Sequence, residues 1–283
     1  TLIENGITQT VTCLAKALEY SEEASRLGGR LKIHIKLDTG MSRLGFLVNG
    51  EHFDEGVDNI IRSCSLPGLE SEGIYTHFAV SDEPGDDAEA YTRAQFALFM
   101  RVVAALKERG GIEFVIRHCA NSGAVARYPE MALDMVRPGL LLYGYGDTAG
   151  RLGLLPCMRL VTTVSTIKFY EPGTSVSYGR RYITERRTRM GVLGIGYADG
   201  LPRLISNKCA FYAGGGFAPQ RGSICMDMCM VDLTDLPQVD VGSEVEIFGR
   251  MNDIYKLSDA AQTIPYELLC AVSKRVPRVY KEF

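Results

Sequence analysis

Nowhere in the 283 residues does an apolar run reach the roughly 18 that a membrane-crossing helix needs. No positively charged, then apolar, leader of the secretory kind opens the chain either. The expectation is a protein with no membrane segment, working in the cytoplasm. An excess of one charge is also missing: 31 Lys and Arg stand against 34 Asp and Glu, a formal net charge of -3. That balance provides neither a polybasic run for anionic lipid nor a broad basic field for nucleic acid. A small molecule is the expected partner, and nucleic acid is not. Internal repeats and low-complexity tracts are absent. Eight cysteines in a chain of this length make no disulfide framework. They fall singly in segments such as Ser63-Cys64-Ser65, His118-Cys119-Ala120 and Leu269-Cys270-Ala271, and read as buried thiols. The one close pair, Cys225 and Cys229, lacks the two-residue metal spacing and a second Cys/His pair, so core packing is expected there and no metal.

What is present is a chain long enough for two domains, with a change of texture near Gly150. Before it, short β-rich runs alternate with longer amphipathic patterns. Strands are predicted over Ile7 to Cys13, Leu31 to Leu37, Gly73 to Phe78, Ile112 to His118 and Met135 to Tyr143. Helices are predicted over Leu14 to Leu27, Phe53 to Cys64, Ala88 to Arg109 and Ser122 to Tyr128. Strand-then-helix order builds a parallel sheet. In Leu31-Lys32-Ile33-His34-Ile35-Lys36-Leu37, polar and apolar residues alternate, as when one strand face lines a lumen or site and the other packs on helices. A barrel closed by eight such strands needs more than these five, so two or three βα units are expected ahead of Thr1. After Gly150, short strands among Gly/Pro-rich turns are predicted at Met158 to Tyr170, Met190 to Ile195, Ala210 to Tyr212, Asp227 to Leu233 and Glu244 to Phe248. A last helix follows at Pro265 to Val272. The expected architecture is an α/β chain: a (β/α)8 TIM-type barrel lacking its first units over 1–152, then a mostly-β domain over 153–283.

Eight segments, spread in order through both halves, carry the chemistry. They are His34-Ile-Lys-Leu-Asp-Thr-Gly-Met-Ser-Arg-Leu-Gly45, Tyr75-Thr-His-Phe-Ala79, His118-Cys-Ala-Asn-Ser122, Val136-Arg-Pro-Gly-Leu140 with Tyr143-Gly144, Val176-Ser-Tyr-Gly179, Gly194-Ile-Gly-Tyr-Ala-Asp-Gly200, Ile224-Cys-Met-Asp227 and Ile264-Pro-Tyr-Glu267. From the residues alone, Asn121-Ser122-Gly123 joins a strand to a short helix, which offers an anion the positive end of a helix. Gly139 and Leu140 offer backbone N–H groups that a phosphate can approach closely. Together the segments resemble alanine racemases, which are pyridoxal-phosphate-dependent.

The resemblance implies interconversion of L- and D-alanine through a pyridoxal 5'-phosphate aldimine, with proton transfer by two bases and D-alanine supplied for peptidoglycan. It also implies a homodimer whose active sites are shared between subunits. Ser122, Gly139, Leu140 and Tyr266 would bind the phosphate, and Arg137 the pyridine nitrogen. A guanidinium only donates, so that nitrogen would stay an unprotonated acceptor and a weak electron sink, which favours simple racemisation over side reactions. Tyr178, from the partner subunit, would be one of the two bases. A phenol at its ordinary pKa near 10 is about 0.1% ionised at pH 7, a deficit of roughly 4 kcal/mol. A chain from Tyr178 through His77 to Arg137 would offset it. Arg43 would reach the cofactor's phenolic oxygen and the substrate carboxylate, held in place by a carbamylated Lys36. Met226 would bind substrate carboxylate through its amide, Asp227 would fix local geometry, and Tyr197 would line the approach. The bulk of Tyr266 over the substrate favours alanine above serine. The other racemase base, the cofactor lysine, normally sits in Val-Lys-Ala-Asn-Ala-Tyr-Gly, and none of the nine lysines here has that context. Two alternatives stay open: a serine-preferring racemase of the same family, and a non-catalytic pyridoxal-phosphate-binding barrel protein. A basic amino-acid decarboxylase is disfavoured, because its cysteine and acidic motifs are not recognisable.

Overall fold

The structure, a computed structural model, describes residues 1–146 and 148–281. It divides into two compact units, Thr1–Leu154 and Leu155–Phe283. In the first, strands β1 (Gln9–Val11), β2 (Leu31–Asp38), β4 (Leu69–Tyr75) and β5 (Ile116–His118) lie side by side in that order, every pair parallel. Helices α1 (Leu14–Arg26), α2 (Phe53–Cys64) and α3 (Asp86–Gly110) make the crossovers, as parallel neighbours require. The short strand β3 (Phe46–Leu47) returns the chain onto the end of β2, opposite Leu37 and Asp38.

These elements follow from their side chains. In β2 the face made by Ile33, Ile35 and Leu37 is fully buried, while Lys32, His34 and Lys36 project from the other face. Against the apolar face pack Val57 and Ile60 of α2 and Phe99, Val102 and Leu106 of α3, each at helical spacing. Acidic residues open α2 and α3 and basic ones close them, in the sense the helix dipole favours. Helix α3 stops at Gly111, whose φ of 63° belongs to a left-handed cap. Arg101 of α3 stacks its guanidinium on the Phe53 ring of α2 at 3.8 Å.

Three strand predictions need correction. The strand expected over Gly73 to Phe78 starts earlier and ends at Tyr75, and that over Ile112 to His118 begins only at Ile116. The strand expected over Met135 to Tyr143 is absent. Arg137 still donates its N–H to Ala120 O at 2.9 Å, but Pro138 has no N–H, and the chain turns at Gly139 into a 3-10 helix over Leu140–Tyr143. Helix α4 (Ser122–Arg127) is as expected, with Asn121 as its N-cap accepting from Ala124 N.

In the second unit, six antiparallel strands close a barrel in the order β10 (Ala210–Ala213), β11 (Gly216–Arg221), β12 (Cys229–Asp232), β9 (Thr188–Leu193), β6 (Leu160–Tyr170) and β13 (Glu244–Phe248). A hairpin of β7 (Ser175–Val176) and β8 (Tyr182–Ile183) and helices α5 (Ile254–Ala261) and α6 (Pro265–Ala271) complete it. Strand β11 escaped the sequence reading because Pro219 sits within it. Yet Gly214 and Gly215, with φ of 55° and 90°, form the tight two-residue turn that pairs it with β10. Helix α5 was also not foreseen, although Asp253 caps it. The cysteines are all free, but Cys13, Cys157 and Cys270 are exposed rather than buried. In α6 the inward face is taken by Pro265 and Leu268, which turns Cys270 outward. Among the described residues no cluster of His, Cys, Asp or Glu is placed to hold a metal.

Candidate active site

At the polar face of β2 lies a cavity of about 390 Å³, lined among others by Lys36, Arg43, Tyr75, His77, His118 and Arg137. Its described lining contains three cationic side chains and no carboxylate, a field suited to an anionic ligand. Each group arrives from a strand end or the turn beyond it: Lys36 from β2, Arg43 from the loop after it, Tyr75 from β4, His77 two residues on and His118 from β5. Ligand sites collect in this way at the carboxyl ends of parallel strands.

Arg137 is the hub. One terminal nitrogen, Nη1, meets His118 Nδ1 at 2.5 Å, and Nη2 donates to the carbonyls of Thr76 at 2.8 Å and Cys119 at 3.4 Å and meets His77 Nδ1 at 3.3 Å. Its guanidinium lies 5.1 Å from the centroid of Tyr75, whose ring stacks on His118 at 4.6 Å. Because a guanidinium can only donate, the bonding determines each tautomer in turn. His118 must accept at Nδ1, so its proton sits on Nε2, 2.9 Å from His34 Nδ1. His34 in turn accepts there and carries its own proton on Nε2, 3.4 Å from the Glu72 carboxylate. Lys32 and Thr8 donate to Glu72, at 2.6 and 3.0 Å, and the ion pair with Lys32 holds that carboxyl below its usual range. The same logic applies to His77, which accepts from Arg137 at Nδ1 and presents Nε2–H as a donor.

The charges agree with these assignments. Burial first, and then the Arg137 cation, push His118 down to about 3 and His77 down to about 4. Both rings are therefore neutral at neutral pH. Lys36 is buried and donates to Leu37 O at 2.6 Å. Burial lowers its pKa to about 8, against the pull of Asp38 and with a further push from Arg137 and Arg43. It does not reach out of the strand into solvent. The loop that carries Arg43 is wound on Asp38, whose Oδ1 accepts from the amides of Gly40 and Ser42, both at 3.0 Å. Gly45, at φ 126°, must be glycine: a Cβ there would lie 2.6 Å from the backbone of Leu37 and Asp38.

Ser122 and Gly139, far apart in sequence, are brought together. The Ser122 hydroxyl accepts from Gly139 N at 2.8 Å and from Leu141 N at 3.5 Å, while Leu140 is buried beside them. Of the remaining expected residues, Tyr178, Tyr197, Met226 and Asp227 lie on neighbouring loops of the β unit, and Tyr266 lies on α6 of the same unit. There Tyr197 N–H and Ala198 N–H donate to the carbonyls of Cys225 and Met226 at 3.0 and 2.9 Å. So close an approach leaves no room for a Cβ on Gly196, which would stand 2.3 Å from Cys225 O. Asp227 and Asp199 both accept from Arg275, at 2.7 and 2.8 Å, which locks the two loops together. Tyr178 stands on the turn after β7, where its carbonyl accepts from the Ser223 hydroxyl at 2.9 Å and the residue is 72% exposed. Met226, Tyr197 and Tyr266 are also exposed.

Comparison with known proteins places the chain. The model for the N-terminal domain of alanine racemase matches residues 1–147, and that for the C-terminal domain matches 157–280. The chain belongs to the alanine racemase family. It is 43% identical to the alanine racemase of Clostridium perfringens over 289 aligned residues, 99% of this chain and 73% of that one. The alanine racemase of Clostridium difficile 630 superposes with a TM-score of 0.90 at 36% identity, over 99% of this chain and 72% of its own. The alanine racemase of Bartonella henselae, solved with covalently bound pyridoxal phosphate, gives 0.84 at 28% identity, over 99% and 75%. The family is one of pyridoxal-phosphate-dependent amino-acid racemases, built as a TIM-type barrel followed by a β domain. The parallel strands and crossover helices of the first unit are βα units of that fold, and the six-stranded barrel is its β domain.

The cavity fits that cofactor by its donor set: a cation for a phenolate, and a guanidinium able only to donate to a ring nitrogen. No role is predicted from sequence for His118, His34, Glu72 and Tyr75, though His34, Tyr75 and His118 open three of the quoted segments. The alternation in β2 put His34 on the same face as Lys36, and that was the available signal.

Proposed function

We propose that this chain interconverts L- and D-alanine with pyridoxal 5'-phosphate, as part of a homodimer in which each active site draws on both subunits. The cofactor-binding part is assigned to 1–152 and the β domain to 153–283. The observation that carries the reading is Arg137: a cation half-buried in the floor of the cavity, held by two neutral histidines and two carbonyls. When bound, pyridoxal phosphate supplies an electron sink for the pair left as the α-proton departs. Arg137 keeps its protons and so would hold the ring nitrogen as an acceptor. Ser122, Gly139, Leu140 and Tyr266 are the proposed phosphate ligands. Arg43 is placed at the cofactor's phenolic oxygen and the substrate carboxylate, with Lys36 carbamylated beside it. Met226, Asp227 and Tyr197 complete the substrate pocket.

Racemisation needs a proton removed from one face of the α-carbon and returned to the other. One group is the cofactor lysine of the family. No lysine of this chain stands in that motif, and Lys36 is committed to Leu37 O. The other is Tyr178, delivered by the partner subunit. The neutral His77, with Nδ1 occupied by Arg137, has its Nε2–H free to donate to a phenol oxygen and so to favour its ionised form. Product D-alanine would serve peptidoglycan synthesis in the cytoplasm. Among the described residues no helix is long and apolar enough to cross a membrane.

The test is the protein purified at the length the cell makes it, supplied with pyridoxal phosphate and assayed for racemisation of alanine and of serine. Faster turnover of alanine is expected. Faster turnover of serine favours the serine-preferring relative, and cofactor uptake with no turnover of either favours a non-catalytic binding protein. Tyr178→Phe should abolish α-proton exchange from one alanine enantiomer and leave substrate binding within roughly twofold. Equal exchange from both enantiomers would remove Tyr178 from its role.

A further inference from the structure

Helix α3 does more than cover the sheet. Two residues one helical turn apart, Tyr91 and Gln95, reach from it to the loops that border the cavity. Tyr91 donates to Gly40 O at 2.8 Å, and a Cβ on Gly40 would lie 2.5 Å from that phenol oxygen. Gln95 is 2% exposed and uses both ends of its amide. Its Oε1 accepts from Ala79 N at 3.0 Å, and its Nε2 donates to the Thr39 hydroxyl and to the His77 carbonyl, each at 3.3 Å. Thr39 lies in the loop that carries Arg43, and His77 and Ala79 lie in the loop after β4.

We propose that Gln95 is a positioning residue that ties the Arg43 loop to the His77 loop, with Tyr91 securing the Arg43 loop alone. The chemistry of the position supports a coupling role. A buried amide supplies an acceptor and two donors without charge, which is what one N–H and two oxygens demand. A carboxylate here would lose both donors and face the His77 carbonyl with a negative charge. The neighbouring buried Thr92 turns its hydroxyl back to Ala88 O of its own helix, so Gln95 carries the outward contacts on that turn. From Thr39 a buried seam continues: its hydroxyl is 2.7 Å from that of Thr76, which donates to Leu37 O at 3.1 Å, and the Thr76 carbonyl accepts from Arg137. Gln95 thus fixes the spacing between Arg43 and His77, and this seam references both to Arg137.

The consequence for substrate rests on the racemase reading, but the positioning claim does not, and two measurements separate them. In the full protein, amide hydrogen exchange of Gln95→Met should speed up roughly tenfold or more in both 38–45 and 77–81. In Tyr91→Phe, an isosteric change at a residue 45% exposed, only 38–45 should respond. If Gln95→Met does not fold, Thr39→Val decides: it keeps the bond from Gln95 to His77 and should free 38–45 while 77–81 stays protected. Exchange unchanged in both loops, or accelerated evenly through the whole first unit, overturns the proposal. In steady state, Tyr91→Phe, which touches only the Arg43 loop, should raise KM for alanine roughly fivefold with a smaller change in kcat, whereas Gln95→Met, which also touches the His77 loop, should raise KM and lower kcat. KM unchanged in both variants would also overturn the proposal. Should the wild type turn over no alanine, the exchange data still decide the role of Gln95, and only the racemase reading falls.

Discussion

Lys36 shows how one buried group takes its chemistry from its surroundings. An exposed lysine is protonated throughout the neutral range, but burial beside Arg137 and Arg43 brings this one down to about 8. Only the free amine attacks carbon dioxide. The N–C bond forms, the nitrogen sheds a proton, and the amine becomes an anionic carbamate in a pocket that otherwise holds two cations, Arg43 and Arg137. Since the amine fraction grows as pH rises through about 8, the carbamate signal from isotope-labelled bicarbonate should increase between roughly pH 7 and 9. Lys36→Arg should lack it. A wild-type protein with no such signal across that range would leave Arg43 without its proposed anchor.

At the scale of elements, the pairing of β2 with β4 controls the floor of the cavity. His34 sits opposite Gly73, next to a register shift, and its ring occupies the space that a side chain at Gly73 would take. A Cβ there would lie 2.6 Å from His34 Nε2. Gly73→Ala should therefore displace the imidazole, break its contact with His118 and cost about 1–3 kcal/mol, as overpacking in a core does. Denaturant unfolding would measure the loss, and the double variant with His34→Ser should recover most of it. An unchanged midpoint in the single variant would mean that the strands give way easily. The relation was not legible in the chain, because His34 and Gly73 are far apart in sequence and meet only through strand register. Helix α2, by contrast, was legible to the residue: Phe53, Val57 and Ile60 keep a helical period between acidic and basic ends.

For the whole molecule, the proposed sharing of sites has an arithmetic consequence. Arg137→Glu and Tyr178→Phe should each be inactive alone. When the two chains are co-expressed, random pairing makes half the dimers hybrid, and each hybrid has one site free of both lesions. Activity should return to about a quarter of the wild-type value. A mixture as inactive as its components would show that Arg137 and Tyr178 act within one chain or not together.

The order of the quoted segments, the helical and strand periods and the balance of charge belong to the sequence itself. They determined the family, the parallel βα half, the β half and nearly all the residues proposed for the site. Only tertiary structure decided that Pro138 and Gly139 break the expected strand and that Lys36 is buried rather than solvated. It also decided that the Ser122 hydroxyl receives the Gly139 amide and that a line of oriented hydrogen bonds runs from Arg137 through His118 to His34, whose Nε2 faces the Glu72 carboxylate. The reason is physical. Periodicity records which face a side chain takes, whereas donor direction, protonation and burial depend on partners that the folded chain brings from dozens of residues away.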